Sequence, residues 1–248
     1  MASDPATGPV LLIGGGWDPA ATRQLYGPLL AACDAARPQV ACIVLDEGDG
    51  TEQFGRWAGA LSAAGPCDPL PVLVKEGGAL DVAALGDADA VLVCGGLTPA
   101  YAAALAPARE PLRAWLTGGH RPYAGFSAGA AVSASRAVVG GWLAGGVPVC
   151  PEDAGEDLEQ VTVVDGLGLV PFSIDVHCAQ WGTLPRLLSA LADLPGGMGV
   201  GLDENTLLTV AGSTATVSGK GHAWLVTSDP DGSRVRALGH GEEFTLPA

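Results

Sequence analysis

Short apolar runs, each closing at or near a glycine, alternate with alanine-rich stretches of helix length through the first half of the chain. That rhythm predicts βα units around a parallel sheet, with strands at Val10–Ile13, Val40–Leu45, Pro71–Val74, Ala90–Cys94 and Pro122–Gly125. The intervening helices are expected at Ala20–Ala36, Glu52–Ala64, a short one at Val82–Leu85, and Pro99–Thr117, the last broken around Pro107 and Pro111 because proline lacks the amide a helix interior needs. A short helix starts after Ser127. The rhythm then fails: Gly140–Asp157 mixes glycine and proline with Glu152, Asp153, Glu156 and Asp157, which predicts a loop. Beyond it, strands are expected at Val161–Val164, Ser173–Val176, Gly199–Leu202, Leu207–Val210, Ala215–Val217 and Ala223–Val226, with a helix at Leu184–Ala192. The expected fold is α/β: a doubly wound, mostly parallel sheet flanked by helices, followed by a β-rich C-terminal part. No internal repeat or linker divides the chain, so residues 1–248 are read as a single domain.

Composition narrows the function. Hydrophobic residues make up 48% of the chain and charged ones 16%, enough apolar surface for a large core without staples. Lys and Arg total 12 against 27 Asp and Glu, a net charge of −15. Such a balance argues against a phosphate-tracking nucleic-acid surface or an anionic-membrane surface and favours a small molecule or peptide as partner. No apolar run approaches the roughly 18–20 residues that span a bilayer. The opening MASDPATGP lacks the basic start and apolar stretch of a secretory leader. The six cysteines (Cys33, Cys42, Cys67, Cys94, Cys150 and Cys178) form no CxxC pair and no metal-like cluster, which fits a reducing cytoplasm.

The sharpest chemical signal is Gly125-Phe126-Ser127-Ala128-Gly129, where an extended run meets a helix. A tight strand-to-helix turn that exposes a nucleophile requires small residues two positions either side, and Gly125 and Gly129 supply them. Ser127 would stand at a helix N-terminus, with the Ala128 N–H as one oxyanion donor. An ordinary glycine-rich turn is the bland alternative in a chain with 37 glycines. A second donor would come from the turn Cys94-Gly95-Gly96, which ends the strand placed just before that of Ser127. Serine needs a base. Of the four histidines, His177 follows a strand, where active-site residues of open α/β sheets collect, whereas His120, His222 and His240 occupy a turn, a late strand and the polar tail. The residues alone leave the third member open among the acids of the Glu152–Glu159 loop and Asp175.

GFSAGAAV, then the stretch from Asp175 through His177, Gln180, Trp181 and Arg186, then Gly199 to Leu208 with Asp203, Glu204 and Asn205, together resemble the S51 serine peptidases. That family includes cyanophycinase and aspartyl dipeptidase (peptidase E), on a class I glutamine amidotransferase-like fold. The opening Leu11-to-Gly16 run and the Cys94-Gly95-Gly96 turn fit as well. The resemblance implies Ser127 as nucleophile, His177 as base, and backbone around Gly95, Gly96 and Ala128 as oxyanion hole. It implies an acid between serine and histidine, pointing to Asp153, Glu156 or Asp157, with Glu156 preferred. Glu204 matches an acidic position near the family's site. It further implies a homodimer.

The departures concern specificity. Leu97-Thr98-Pro99 stands where relatives carry a polar Asn or Asp-Gln, and Gln180-Trp181-Gly182-Thr183 where cyanophycinase-like chains place arginines, leaving Arg186. An acidic substrate side chain needs a cationic partner, so these changes argue against cleavage beside aspartate. Leu97, Thr98, Gln180, Trp181 and Glu204 are the expected substrate contacts, and Trp181 and Tyr101 could line an apolar pocket. The resulting expectation is a serine hydrolase cleaving a small peptide or amide bond through an acyl-enzyme, a chemistry expected to need no metal or other cofactor. Three alternatives compete: an α/β-hydrolase esterase using Asp203 and His240, a dinucleotide-binding domain built on Gly14-Gly15-Gly16 with Asp46, and a non-catalytic binding member of the same fold. The second fails the glycine fingerprint, since Pro19 stands where its last glycine belongs.

Overall fold

The structure, a computed structural model, describes residues 8–192, 197–229 and 231–246. Residues 1–7, on which the leader reading rested, lie outside the described residues. In the first half the elements are β1 (Val10–Ile13), α1 (Thr22–Ala31), β2 (Gln39–Asp46), α2 (Gly50–Ala64), β3 (Asp68–Lys75), β4 (Ala90–Val93), α3 (Thr98–Leu105), α4 (Arg109–Gly118), β5 (Tyr123–Phe126) and α5 (Ala128–Val132). In the second half they are β6 (Arg136–Gly140), β7 (Leu143–Ala144), β8 (Val147–Pro148), β9 (Thr162–Asp165), β10 (Ser173–Val176), α6 (Cys178–Trp181), α7 (Leu184–Ala192), β11 (Met198–Leu202), β12 (Thr206–Ala211), β13 (Thr214–Gly219), β14 (Ala223–Asp229), β15 (Gly232–Leu238) and β16 (Glu243–Thr245).

The main sheet runs β16-β13-β12-β1-β5-β4-β2-β3. Its β1, β5, β4, β2 and β3 are parallel, while β12 joins β1 antiparallel and carries β13 and β16 outward. Both faces are covered, which is why its strands read as unbroken apolar runs. Val10, Leu12, Ile43, Val91 and Val93 pack with Leu105, Leu112 and Leu116 of the α3–α4 side. Leu11, Ile13, Cys42, Val44 and Leu92 pack with Leu25 and Leu29 of α1 and Trp57 and Leu61 of α2. Strand β3 tolerates Pro69 and Pro71 because it is the sheet's edge.

The β-rich part has two destinations. Strands β12, β13 and β16 extend the main sheet, and β10-β11-β14-β15 form a second one. Within the latter, β10 and β11 are parallel, with Val176 opposite Leu202.

Several boundaries differ from expectation. Helix α1 ends at Ala31 rather than Ala36, since residues 34–37 are exposed and offer no apolar face to bury. The helical stretch after Pro99 is interrupted by a 3₁₀ turn at Ala106–Ala108, and Pro111 sits in the first turn of α4, where a missing N–H costs nothing. The expected loop Gly140–Asp157 holds the β7–β8 hairpin and a 3₁₀ turn at Glu152–Ala154. None of the described helices is long and apolar enough to cross a membrane.

Candidate active site

Parallel strands β1, β4 and β5 all end on one edge of the main sheet, and β10 ends against them, where the His177 N–H donates to the Gly14 carbonyl (3.0 Å). Four chain segments therefore deliver their next residues to one place. Ser127 follows β5 with φ 50° and ψ −110°, a conformation that a residue with a side chain adopts only under constraint. The constraint is packing. A Cβ on Gly125 would lie 2.3 Å from the Gly129 carbonyl oxygen, and one on Gly129 would lie 2.1 Å from that of Val93. Any side chain at either position would force α5 off the sheet.

His177 opens α6 in the left-handed region at φ 54°. Its Nε2 lies 2.8 Å from Ser127 Oγ, and its Nδ1 lies 2.8 Å from Glu204 Oε1. The imidazole rests on Gly15, where a Cβ would come within 2.1 Å of the ring. Its outer face is stacked on Trp181, with centroids 3.8 Å apart and planes 6° from parallel. The Gly14–Gly16 run thus seats a histidine and the side chain of Asn205, not a pyrophosphate.

Glu204 is held by its surroundings. Gln180 accepts from the Glu204 N–H (2.8 Å). On one side Asp203 accepts from the Ala179 and His222 N–H groups and from Trp224 Nε1. On the other, the Asn205 N–H, at φ 57°, donates to the Gly15 carbonyl (2.7 Å). Five of the six non-glycine residues with positive φ among the described residues, namely Ser127, Glu156, Asp157, His177 and Asn205, belong to this neighbourhood. Burial pushes the His177 imidazole below its usual value of 6.5, with the Glu204 hydrogen bond acting against that shift. With its proton on Nδ1 toward Glu204, neutral His177 can accept the Ser127 proton at Nε2.

The other expected residues fall as follows. Glu156 does not supply the acid: its carboxylate is engaged by Thr98, accepting from the Thr98 N–H (2.8 Å) and Oγ1 (3.0 Å). Neither does Asp175, which forms a bidentate, fully buried pair with Arg186 (2.8 and 2.7 Å). Arg186 also donates to the Ala154 carbonyl, so the arginine that remains in the stretch directly after His177 is occupied. Gly95, Gly96 and Leu97 line the cleft beside Ser127, and Gly95 lies against it, a Cβ there falling 3.5 Å from Ser127 Cβ. Ala128 is the first residue of α5. Trp181 lines the cleft, half-exposed. Tyr101 is buried, with its hydroxyl on the backbone of β2, rather than lining a pocket. His240 meets Gln24 on the surface and Asp46 closes its own loop through Gly48 and Gly50, so neither rival architecture is assembled. The Cys178 thiol is buried, which raises its pKa and makes it a poor nucleophile.

The cleft encloses about 950 Å³ and reaches from Ser127 and His177 past Trp17, Trp57, Phe126, Trp142 and Trp181. Its wall carries Glu47, Asp49, Glu152, Asp153, Asp157 and Glu159 in addition to Glu156, against Arg56 as the one Lys or Arg among the described lining residues. Arg56 itself lies over the Trp17 ring at 4.6 Å.

Fold and site together define an α/β protein with a serine–histidine–glutamate array at the carboxyl ends of parallel strands from its two sheets. The sequence profile of peptidase family S51 matches residues 68–218, more than half of the chain, and the chain belongs to that family. A cyanophycinase from Trichormus variabilis is 36% identical over 101 residues, 40% of this chain and 31% of that protein. One from Geminocystis herdmanii is 28% identical over 159 residues, 56% of this chain and 54% of that protein. This chain thus spans about a third to a half of the length of the curated relatives it matches. Among solved structures, a peptidase from an acI-B1 actinobacterium superposes with a TM-score of 0.67 at 20% identity, over 97% of each chain. A putative peptidase E protein from Listeria monocytogenes EGD-e gives 0.58 at 14% identity, over 86% of this chain and 99% of that one. Both likenesses concern the fold.

Proposed function

We propose that this chain is a serine peptidase, a single domain on a glutamine amidotransferase-like fold, cleaving a small peptide or amide bond. The observation that carries the reading is the unbroken array Ser127 Oγ, His177 Nε2, His177 Nδ1 and Glu204 Oε1, with both links at 2.8 Å. The β5–α5 turn acts as a nucleophile elbow. Ser127 Oγ bonds to the substrate carbonyl carbon as His177 Nε2 takes its proton, and Glu204 holds the resulting imidazolium. Backbone N–H groups of Gly95, Gly96 and Ala128 receive the oxyanion. His177 then returns the proton to the departing amine, and a water activated by the same imidazole releases the acyl group. Glu204 takes the role that the sequence reading gave to Glu156.

Charge at the cleft favours a substrate that carries a positive group near the scissile bond. Six wall carboxylates besides Glu156 face a single Arg56 among the described lining residues, and exposed tryptophan faces accept cations. Six free cysteines support a reducing, cytoplasmic setting.

A fluorophosphonate probe together with a peptide library tests this reading. The wild type should be labelled and Ser127→Ala and His177→Ala should not, and peptides with Lys or Arg near the cleaved bond should outrun their Asp or Glu counterparts at least tenfold. An unlabelled wild type that still binds basic peptides would favour a non-catalytic binding protein. Faster cleavage of acidic peptides would overturn the charge argument while leaving the chemistry in place.

A further inference from the structure

The half-buried carboxylate that does not reach His177, that of Glu156, is nonetheless tied to the catalytic apparatus. Helix α3 begins at Thr98 and is capped by Leu97, whose side chain accepts no hydrogen bond. The first N–H groups of a helix need acceptors from outside it. Here the acceptor comes from far along the chain: Glu156 Oε2 receives the Thr98 N–H and Oε1 the Thr98 hydroxyl, with Thr98 itself 2% exposed. Between the end of β4 and this clamp lies only Cys94 to Leu97, the turn whose Gly95 packs on Phe126 and Ser127. One end of the turn is thus fixed by the sheet and the other by Glu156.

The loop that presents Glu156 is itself anchored. Glu156 and Asp157 take successive left-handed conformations, φ 56° and 60°, and the Gly141 N–H donates to the Gly155 carbonyl (2.8 Å). Arg186 donates to the Ala154 carbonyl from its buried pair with Asp175, two residues before His177. A strap therefore runs from the strand that carries the base, through Arg186 and the 154–156 segment, to the turn beside the nucleophile. Burying a carboxylate is costly without such partners. Burial raises the pKa of Glu156, and the two Thr98 donors oppose the shift.

We propose that Glu156 is a positioning residue for the oxyanion hole: by gripping Thr98 it fixes the Gly95–Gly96 backbone against Ser127. This rests on the reading of Ser127 as nucleophile. Losing a single oxyanion donor costs about 10²–10³ in rate, so loosening a turn that supplies donors should cost somewhat less. A carboxylate that merely caps α3 would instead affect stability and leave the chemistry alone.

The test uses the full chain and three measurements: the rate of Ser127 phosphonylation by a fluorophosphonate, the melting temperature, and amide hydrogen exchange at Gly95 and Gly96. Well below its melting temperature, Glu156→Ala should react about 10- to 100-fold more slowly than wild type, with faster exchange at both glycines. Glu156→Gln should recover to within about tenfold, since its carbonyl can accept from the Thr98 N–H and its amide can donate to the hydroxyl. Should Glu156→Ala fail to fold, Thr98→Val decides, because it removes only the hydroxyl contact and should slow the reaction about threefold or more. Wild-type reactivity in folded Glu156→Ala, or in Thr98→Val if Glu156→Ala does not fold, overturns the proposal. So does unchanged exchange at Gly95 and Gly96. A wild type that refuses the probe instead sinks the nucleophile reading, and this inference falls with it.

Discussion

Glu204 and Glu156 are both glutamates near the nucleophile, and the protein uses them in opposite ways. Glu204 follows β11, whose parallel pairing with β10 sets Leu202 beside Val176, so the next residues of the two strands emerge side by side and Glu204 meets His177 Nδ1. Glu156 sits in an irregular loop, nearer in sequence to both catalytic residues, yet its carboxylate is directed to Thr98. Sequence separation is therefore a poor guide to which acid serves a histidine. The strand register decides, because parallel neighbours deliver their ends to the same edge.

The contrast can be broken experimentally, starting from the residues that Glu204 serves. Ser127→Ala and His177→Ala should each lower kcat for amide hydrolysis by several powers of ten, to what binding and oxyanion donors alone provide. Steady-state kinetics on the best library peptide checks this, and near-normal turnover in either variant would remove the mechanism. Next, Glu204→Gln should cost about 10²–10⁴ in kcat, because the imidazole loses the charge that stabilises its protonated form. Glu156→Gln should stay within about tenfold of wild type. If the two variants ranked the other way round, the acid assignment would be reversed.

Arg186→Met should destabilise the fold by about 3–5 kcal/mol in denaturant unfolding, since it leaves the Asp175 carboxylate buried without its partner. A loss below about 1 kcal/mol would show that the pair does not anchor the strap.

The smallest effect is on pH dependence. His177 must be neutral to act as base, and its pKa is lowered by burial, so kcat/KM should fall as pH drops through a value below 6.5. Glu204→Gln removes the influence that holds this value up, so the acid limb should move to still lower pH while the plateau falls. A limb that moved upward would mean that Glu204 does not face the imidazole.

Much of the framework was legible in the sequence because its signals are local. The runs at Val10–Ile13 and Ala90–Val93 are buried on both faces and read as apolar without interruption. Gly125 and Gly129 flank Ser127 because the turn has no room for a Cβ. Strands β15 and β16 were not legible: β15 is exposed along all but its last residue and β16 is three residues long, so neither carries an apolar pattern. The framing of the acid was not legible for a related reason. Gln180, expected among the substrate contacts, holds the Glu204 backbone through its side chain, and Gly15 makes room for the His177 ring, and neither role leaves a local pattern.

By itself the sequence determined the βα rhythm, the strained serine turn and the histidine at a strand end, since each follows from sterics or burial within a few residues. Only the tertiary structure decided which carboxylate completes the array, which residues are occupied elsewhere and what charge the cleft presents. Those outcomes depend on how strands far apart in the chain pair and on where their ends emerge, and no local pattern encodes that pairing.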